Sequence, residues 1–177
     1  MQKQVLKDTL MDNHQVFINY IQSLPSEIFV QSNHGKWTPG QQLEHILLSI
    51  KPLRQILTVP KIVLLIIWGK ANRESKTYDT LIEKYHLKLQ QGGRATSRFV
   101  PRLVSYDQKP ALVQSISNEI KWLSEKLNKF TEEELDKYIL PHPLLGKLTI
   151  REMMYFTIYH VLHHQMMTER DLMSLAD

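Results

Sequence analysis

Leu112, Ile116, Ile120, Leu123, Leu127 and Phe130 recur at intervals of four, four, three, four and three residues. Only a helix of 3.6 residues per turn collects such a set on one face, and that face must be buried against something. The same spacing appears in three other long segments. Leu6, Leu10, His14, Phe17, Ile21 and Leu24 mark a helix over about residues 2–24, stopped by Pro25. Leu43, Ile46, Leu47, Ile50, Leu53 and Leu57 mark a second, with a kink or break expected at Pro52. A last helix runs from about residue 150 to 174, with Ile150, Met154, Ile158, Val161 and Leu172 on one side. Four such helices predict an all-α four-helix bundle, a single domain over residues 1–177.

Local signals place the helix starts. Thr38-Pro39-Gly40-Gln41, Thr131-Glu132-Glu133-Glu134 and Thr149-Ile150-Arg151-Glu152 each read as a capping box. The stretch 142–147, His-Pro-Leu-Leu-Gly-Lys, reads as a rigid turn. Between the second and third long helices lie about 50 residues, too many for a tight antiparallel hairpin. They hold the apolar run 62–68, a helix over about 80–91 and a basic stretch with Arg94, Arg98 and Arg102. A long crossover there allows parallel neighbours and predicts an up-up-down-down order. The basic stretch reads as a solvated loop, and its alternative role is a pocket rim for an anionic ligand.

The last helix also carries Tyr159-His160-Val161-Leu162-His163-His164-Gln165. His160 and His164, four apart, sit about 40° from each other and one turn apart. His163 is turned about 60° to the other side of His160. Met153, Phe156 and Met167 share the direction of His160 and His164, so these imidazoles look into apolar surroundings. Without a metal or hydrogen-bonding partners they would be poorly compensated there. On the second helix His45 lies off the main apolar face, on a second side with Leu48 and Ile56, and can meet the pair across the bundle. Three neutral imidazoles suit zinc, nickel or iron(II) and leave coordination positions open, the catalytic rather than the structural pattern. Gln41, Glu44 and Gln165 are the candidates for holding the other ring nitrogens. His14 reads as a core histidine with one nitrogen satisfied, and its second reading is a pocket-lining group near the metal.

Several function classes drop out. With no cysteine, disulfides, cysteine–zinc sites and thiol nucleophiles are excluded, and a reducing cytoplasm is compatible. A net charge of +4 without a basic helix or DNA-binding motif gives nucleic acid little support. The N-terminal stretch lacks the apolar core of a signal peptide, and the run 62–68 is far short of the roughly 20 residues that span a bilayer; it reads as a buried short helix, with a surface membrane contact as the alternative. The zinc-protease, di-iron, nucleophile-elbow, P-loop and dinucleotide patterns are all missing.

Trp37-Thr-Pro-Gly-Gln-Gln-Leu-Glu-His45, His142-Pro-Leu-Leu-Gly-Lys-Leu-Thr149, Glu152 and His160-x-x-His163-His164-Gln165 together resemble the DinB-like superfamily, which includes bacillithiol and mycothiol S-transferases. The resemblance covers nearly the whole chain, loosely over 59–107. It implies a four-helix bundle, commonly dimeric, and a divalent metal held by His45, His160 and His164, with His163 as a neighbour that is not a ligand. It further implies a metal-dependent enzyme acting on a small-molecule substrate, a thiol S-transferase with a low-molecular-weight thiol as cofactor, or a hydrolase. No residue is singled out as general acid or base, although Glu152, Tyr155 and Tyr159 lie close in sequence. The alternative is a non-catalytic dimeric bundle with a structural or vestigial metal site, the run 62–68 forming its partner surface. The expected setting is a cytoplasmic homodimer.

Overall fold

A computed structural model describes residues 1–174. The apolar spacing becomes helix wherever it is sustained. α1 (Lys3–Ser23) buries Leu6, Leu10, Phe17 and Ile21. A short α2 (Ser26–Phe29) follows Pro25. α3 (Pro39–Thr58) starts at Thr38, whose side chain accepts from Gln41 N–H while the Gln41 side chain accepts from Thr38 N–H. The helix continues unbroken through Pro52, so the break expected there does not occur. α4 (Lys61–Trp68) and α5 (Tyr78–Gln90) fill the long connection. α6 (Lys109–Leu127), α7 (Glu132–Lys137) and α8 (Ile150–Met173) complete the helices. All three expected capping boxes form.

The segment before α8 is more ordered than a turn. β1 (Ile139–His142) and β2 (Gly146–Thr149) pair antiparallel, with Ile139 opposite Thr149 and His142 opposite Gly146. Gly146 takes φ 81°, a left-handed conformation that a side chain would strain. Among the described residues no helix is long and apolar enough to cross a membrane.

Hydrogen bonds between helices give their directions. Met1 at the start of α1 meets Arg151 and Tyr155 at the start of α8, and Asn13 meets Ile158, so α1 and α8 run parallel. Asn33, Gln42 and His45 meet Asp171, His164 and His160 in turn, so α3 runs against α8. Lys3 bonds Phe130 and Lys109 bonds Leu24, so α6 runs against α1. The order is therefore up-down-down-up, not the expected up-up-down-down. The crossover does make its flanking helices, α3 and α6, parallel. The short connection 24–38, however, turns the chain back, as short connections do.

The core lies between these four helices, with Phe17, Leu43, Ile116, Leu123 and Ile158 almost wholly buried. Each such side chain contributes roughly 1.5–3 kcal/mol by leaving water. Gly40 lets the start of α3 approach its neighbours: a Cβ there would lie 2.8 Å from Phe29 Cε1. In the first turn of α8, Glu152 is fully buried and receives Arg73 at 2.6 and 2.8 Å, together with the backbone N–H of Lys76 and Thr149. These bonds hold its carboxylate below the usual range against the opposing effect of burial.

Candidate metal centre

α3 and α8 run antiparallel side by side, and that packing brings His45 against the His160–His164 pair. All three are buried, and one ring nitrogen of each lies within 4.8 Å of the others. The Nε2 atoms converge: His160 Nε2 is 3.3 Å from that of His45 and 3.0 Å from that of His164.

The far nitrogens determine what those Nε2 atoms are. His45 Nδ1–H donates to the Phe99 carbonyl oxygen at 2.7 Å, and His164 Nδ1–H donates to the Gln42 side-chain oxygen at 2.5 Å. A carbonyl oxygen only accepts, so both neutral rings keep a bare lone pair on Nε2. His160 lies between those two lone pairs. If it carries its proton on Nε2, it satisfies one neighbour and leaves the other unpaired. If not, three lone pairs face one focus. With the His160 proton on Nδ1, a divalent cation at that focus takes up all three lone pairs, so the donor set fits a metal ion.

The surroundings keep the rings neutral and aligned. Burial, followed by repulsion from neighbouring histidines, holds His160 and His164 well below the usual histidine range. Burial lowers His45 as well, opposed by its bond to Phe99. Neutral imidazoles need not shed protons before they bind a cation. Trp37 stacks on His164 with ring centres 6.3 Å apart, and Phe156 stacks on His160 at 4.6 Å.

His163 projects elsewhere. Its ring lies edge-on to Tyr85 at 5.5 Å, and it is absent from the converging group. His14 is buried and bonds the Leu10 carbonyl oxygen at 2.8 Å, and it also lines the cavity beside the three histidines, so both of its expected roles meet at one residue.

The residues expected to hold the outer ring nitrogens are occupied otherwise. Gln41 caps α3, Glu44 accepts from Arg102 N–H at 2.6 Å, and Gln165 bonds Glu169. Gln42 and the Phe99 carbonyl take their place. Gln42 was within reach of the sequence, since it lies three before His45 and so on the same side of α3. Nothing in the sequence marks a backbone carbonyl 54 residues away. The three side chains near in sequence are also committed: Glu152 to Arg73, Tyr155 to the N-terminal amine and Tyr159 to His86.

A cavity of about 660 Å³ opens beside the three histidines. Leu53, Leu89, Leu144 and Met153 contribute apolar wall. Of the three arginines in the basic stretch, Arg94 reaches this cavity, whereas Arg98 lies over the Phe99 ring and Arg102 pairs with Glu44.

No curated protein matches the chain. A sequence model described as the DinB superfamily matches residues 9–167, a span that includes all three converging histidines. The chain belongs to the DinB superfamily.

Proposed function

We propose that the protein is a metal-dependent enzyme, a thiol S-transferase or hydrolase, whose divalent metal is held by Nε2 of His45, His160 and His164. The observation that supports this most is the pair of tautomer-setting bonds to Phe99 and Gln42, which aim two lone pairs at the focus shared with His160. A bound zinc, nickel or iron(II) ion supplies Lewis acidity, which makes water or a thiol nucleophilic near neutral pH.

The protein's own residues do the rest. The cavity admits an electrophilic small molecule beside the histidines, and its apolar wall excludes water from the part it covers. Arg94 at the cavity is suited to a carboxylate of a low-molecular-weight thiol. Phe99 and Gln42 keep two imidazoles from rotating as charge changes near them.

A second reading, a non-catalytic dimeric bundle with a structural metal site, draws support from α4. Against the expectation of a buried helix, its Ile62, Ile66 and Ile67 are all exposed, Ile66 at 77%, and only Leu64 is buried. A structural site, however, is usually closed by a fourth protein ligand, and among the described residues the converging group has three.

The deciding experiment begins with elemental analysis of protein purified without metal-affinity steps. Turnover of low-molecular-weight thiols with an aryl halide is then measured on metal-loaded protein. The enzyme reading expects stoichiometric metal and turnover that His160→Ala abolishes. Full activity in that variant would rule the mechanism out. Metal without turnover, in a stable dimer, would favour the second reading.

A further inference from the structure

His142 closes the β1–β2 hairpin and is not one of the three converging histidines. Its Nδ1 accepts two backbone N–H groups, from Leu144 at 3.1 Å and from Leu145 at 3.0 Å. A backbone amide can only donate, so Nδ1 must keep its lone pair and the neutral ring carries its proton on Nε2. The turn enforces this. Gly146, opposite His142, bends the chain back at φ 81°, and Lys84 donates to the Leu145 carbonyl oxygen at 2.8 Å, tying the turn to α5. A proton on Nδ1 would face two N–H groups. Burial and repulsion from Lys84 also oppose protonation, lowering the group to about 4.

The other edge of the ring is available. His142 lines the same cavity as His45, His160 and His164, and its Nε2 has no hydrogen-bond partner among the described residues. Its ring meets Phe156 edge-on at 4.3 Å, and Phe156 in turn stacks on His160. The Phe156 ring therefore touches both the His142 ring and the His160 ring.

We infer that His142 is a substrate-recognition residue, a neutral Nε2–H donor that binds the carbonyl oxygen of an uncharged, apolar ligand lying beside the three histidines. The inference rests on reading the cavity as the substrate site. A neutral donor among apolar walls suits an amide, ester or ketone. The neutral His142 ring itself offers a carboxylate no counter-charge, whereas Arg94 elsewhere in the cavity does, so the two residues suit different ligand groups. The donor offers a binding direction that the apolar wall cannot, because dispersion contacts do not orient a ligand end for end.

The test uses the full chain, nitrogen-15 labelled, with octanamide as probe. Long-range proton–nitrogen spectra should show His142 as the Nε2–H tautomer at neutral pH, and octanamide should shift its Nε2 resonance. His142→Asn keeps an oxygen for the two turn amides but is too short to donate into the cavity. It should retain the parent's metal content and lose octanamide affinity roughly ten-fold. His142→Gln, with an amide nitrogen extended by one carbon, should recover part of that loss. An Nδ1–H signature, an Nε2 resonance unmoved by octanamide at its solubility limit, or equal affinity in parent and His142→Asn would overturn the inference. If His142→Asn does not fold, the two measurements on the parent decide. Elemental analysis of the same samples separates the two readings: a metal-free parent that still shows the octanamide shift defeats the metal enzyme and leaves the His142 assignment standing.

Discussion

The Gln42 side-chain oxygen lies 2.5 Å from His164 Nδ1, joining α3 to α8 across 122 residues of sequence. That bond determines which nitrogen of His164 is free, and so turns a buried imidazole into a directed lone pair. Gln42→Leu removes the acceptor while keeping an apolar fit. Metal affinity should fall 10- to 100-fold, the usual cost of losing such a support. Competition against a coloured chelator measures it, and unchanged affinity would mean that the ring is held by packing alone.

Removing the metal should lower stability, because the ion binds the folded arrangement and not a dispersed set of histidines. With free metal at about 1,000 times its dissociation constant, the folded state gains about 4 kcal/mol. For a chain of this length that corresponds to roughly 2–4 °C in Tm per kcal/mol. Thermal unfolding with and without EDTA checks this. The shift should vanish in His160→Ala.

His14 should make the protein acid-sensitive even without metal. Burial lowers its folded-state pKa from 6.5 to about 4, with the Leu10 carbonyl bond opposing. Below pH 6.5 the unfolded chain takes up a proton that the folded chain refuses, so acid favours unfolding. The contribution of neutral His14 is complete above pH 6.5 and is lost as pH falls towards 4. Its size is on the order of 3 kcal/mol. Urea unfolding at a series of pH values should show a shallower acid decline in His14→Leu than in the parent. Parallel curves would refute the assignment.

Gly40→Ala should destabilise the bundle by about 1–3 kcal/mol. The new methyl would meet Phe29 Cε1 at 2.8 Å and Val104 Cβ at 3.1 Å, and α3 would have to move. Since α3 carries His45 and Gln42, metal affinity should fall together with the denaturation midpoint. A neutral result would show that the Phe29 ring can swing aside.

Much of the architecture is local in origin and was therefore legible. The stripe from Leu112 to Phe130 becomes α6 and the buried face of its continuation, and the three threonine-led capping boxes start helices where their spacing places them. The i, i+4 pair on α8 follows from helix geometry alone, as does the rotation of His163 away from it. The sequence marks the hairpin at 139–149 only by its turn, because strands this short have too little alternation to announce themselves.

By itself the sequence determined the helices, their buried faces and the spacing that puts two histidines on one side of α8. Those properties depend on residues within a turn or two of one another, where backbone geometry decides. The tertiary structure alone decided that α3 runs against α8, that Gln42 and the Phe99 carbonyl hold the outer nitrogens, and that the His142 proton sits on Nε2. The first two depend on groups brought together from distant parts of the chain, and the third on a fold back of the backbone at the hairpin. Hydrogen-bond direction, which sets the free nitrogen on each ring, exists only once those groups have met.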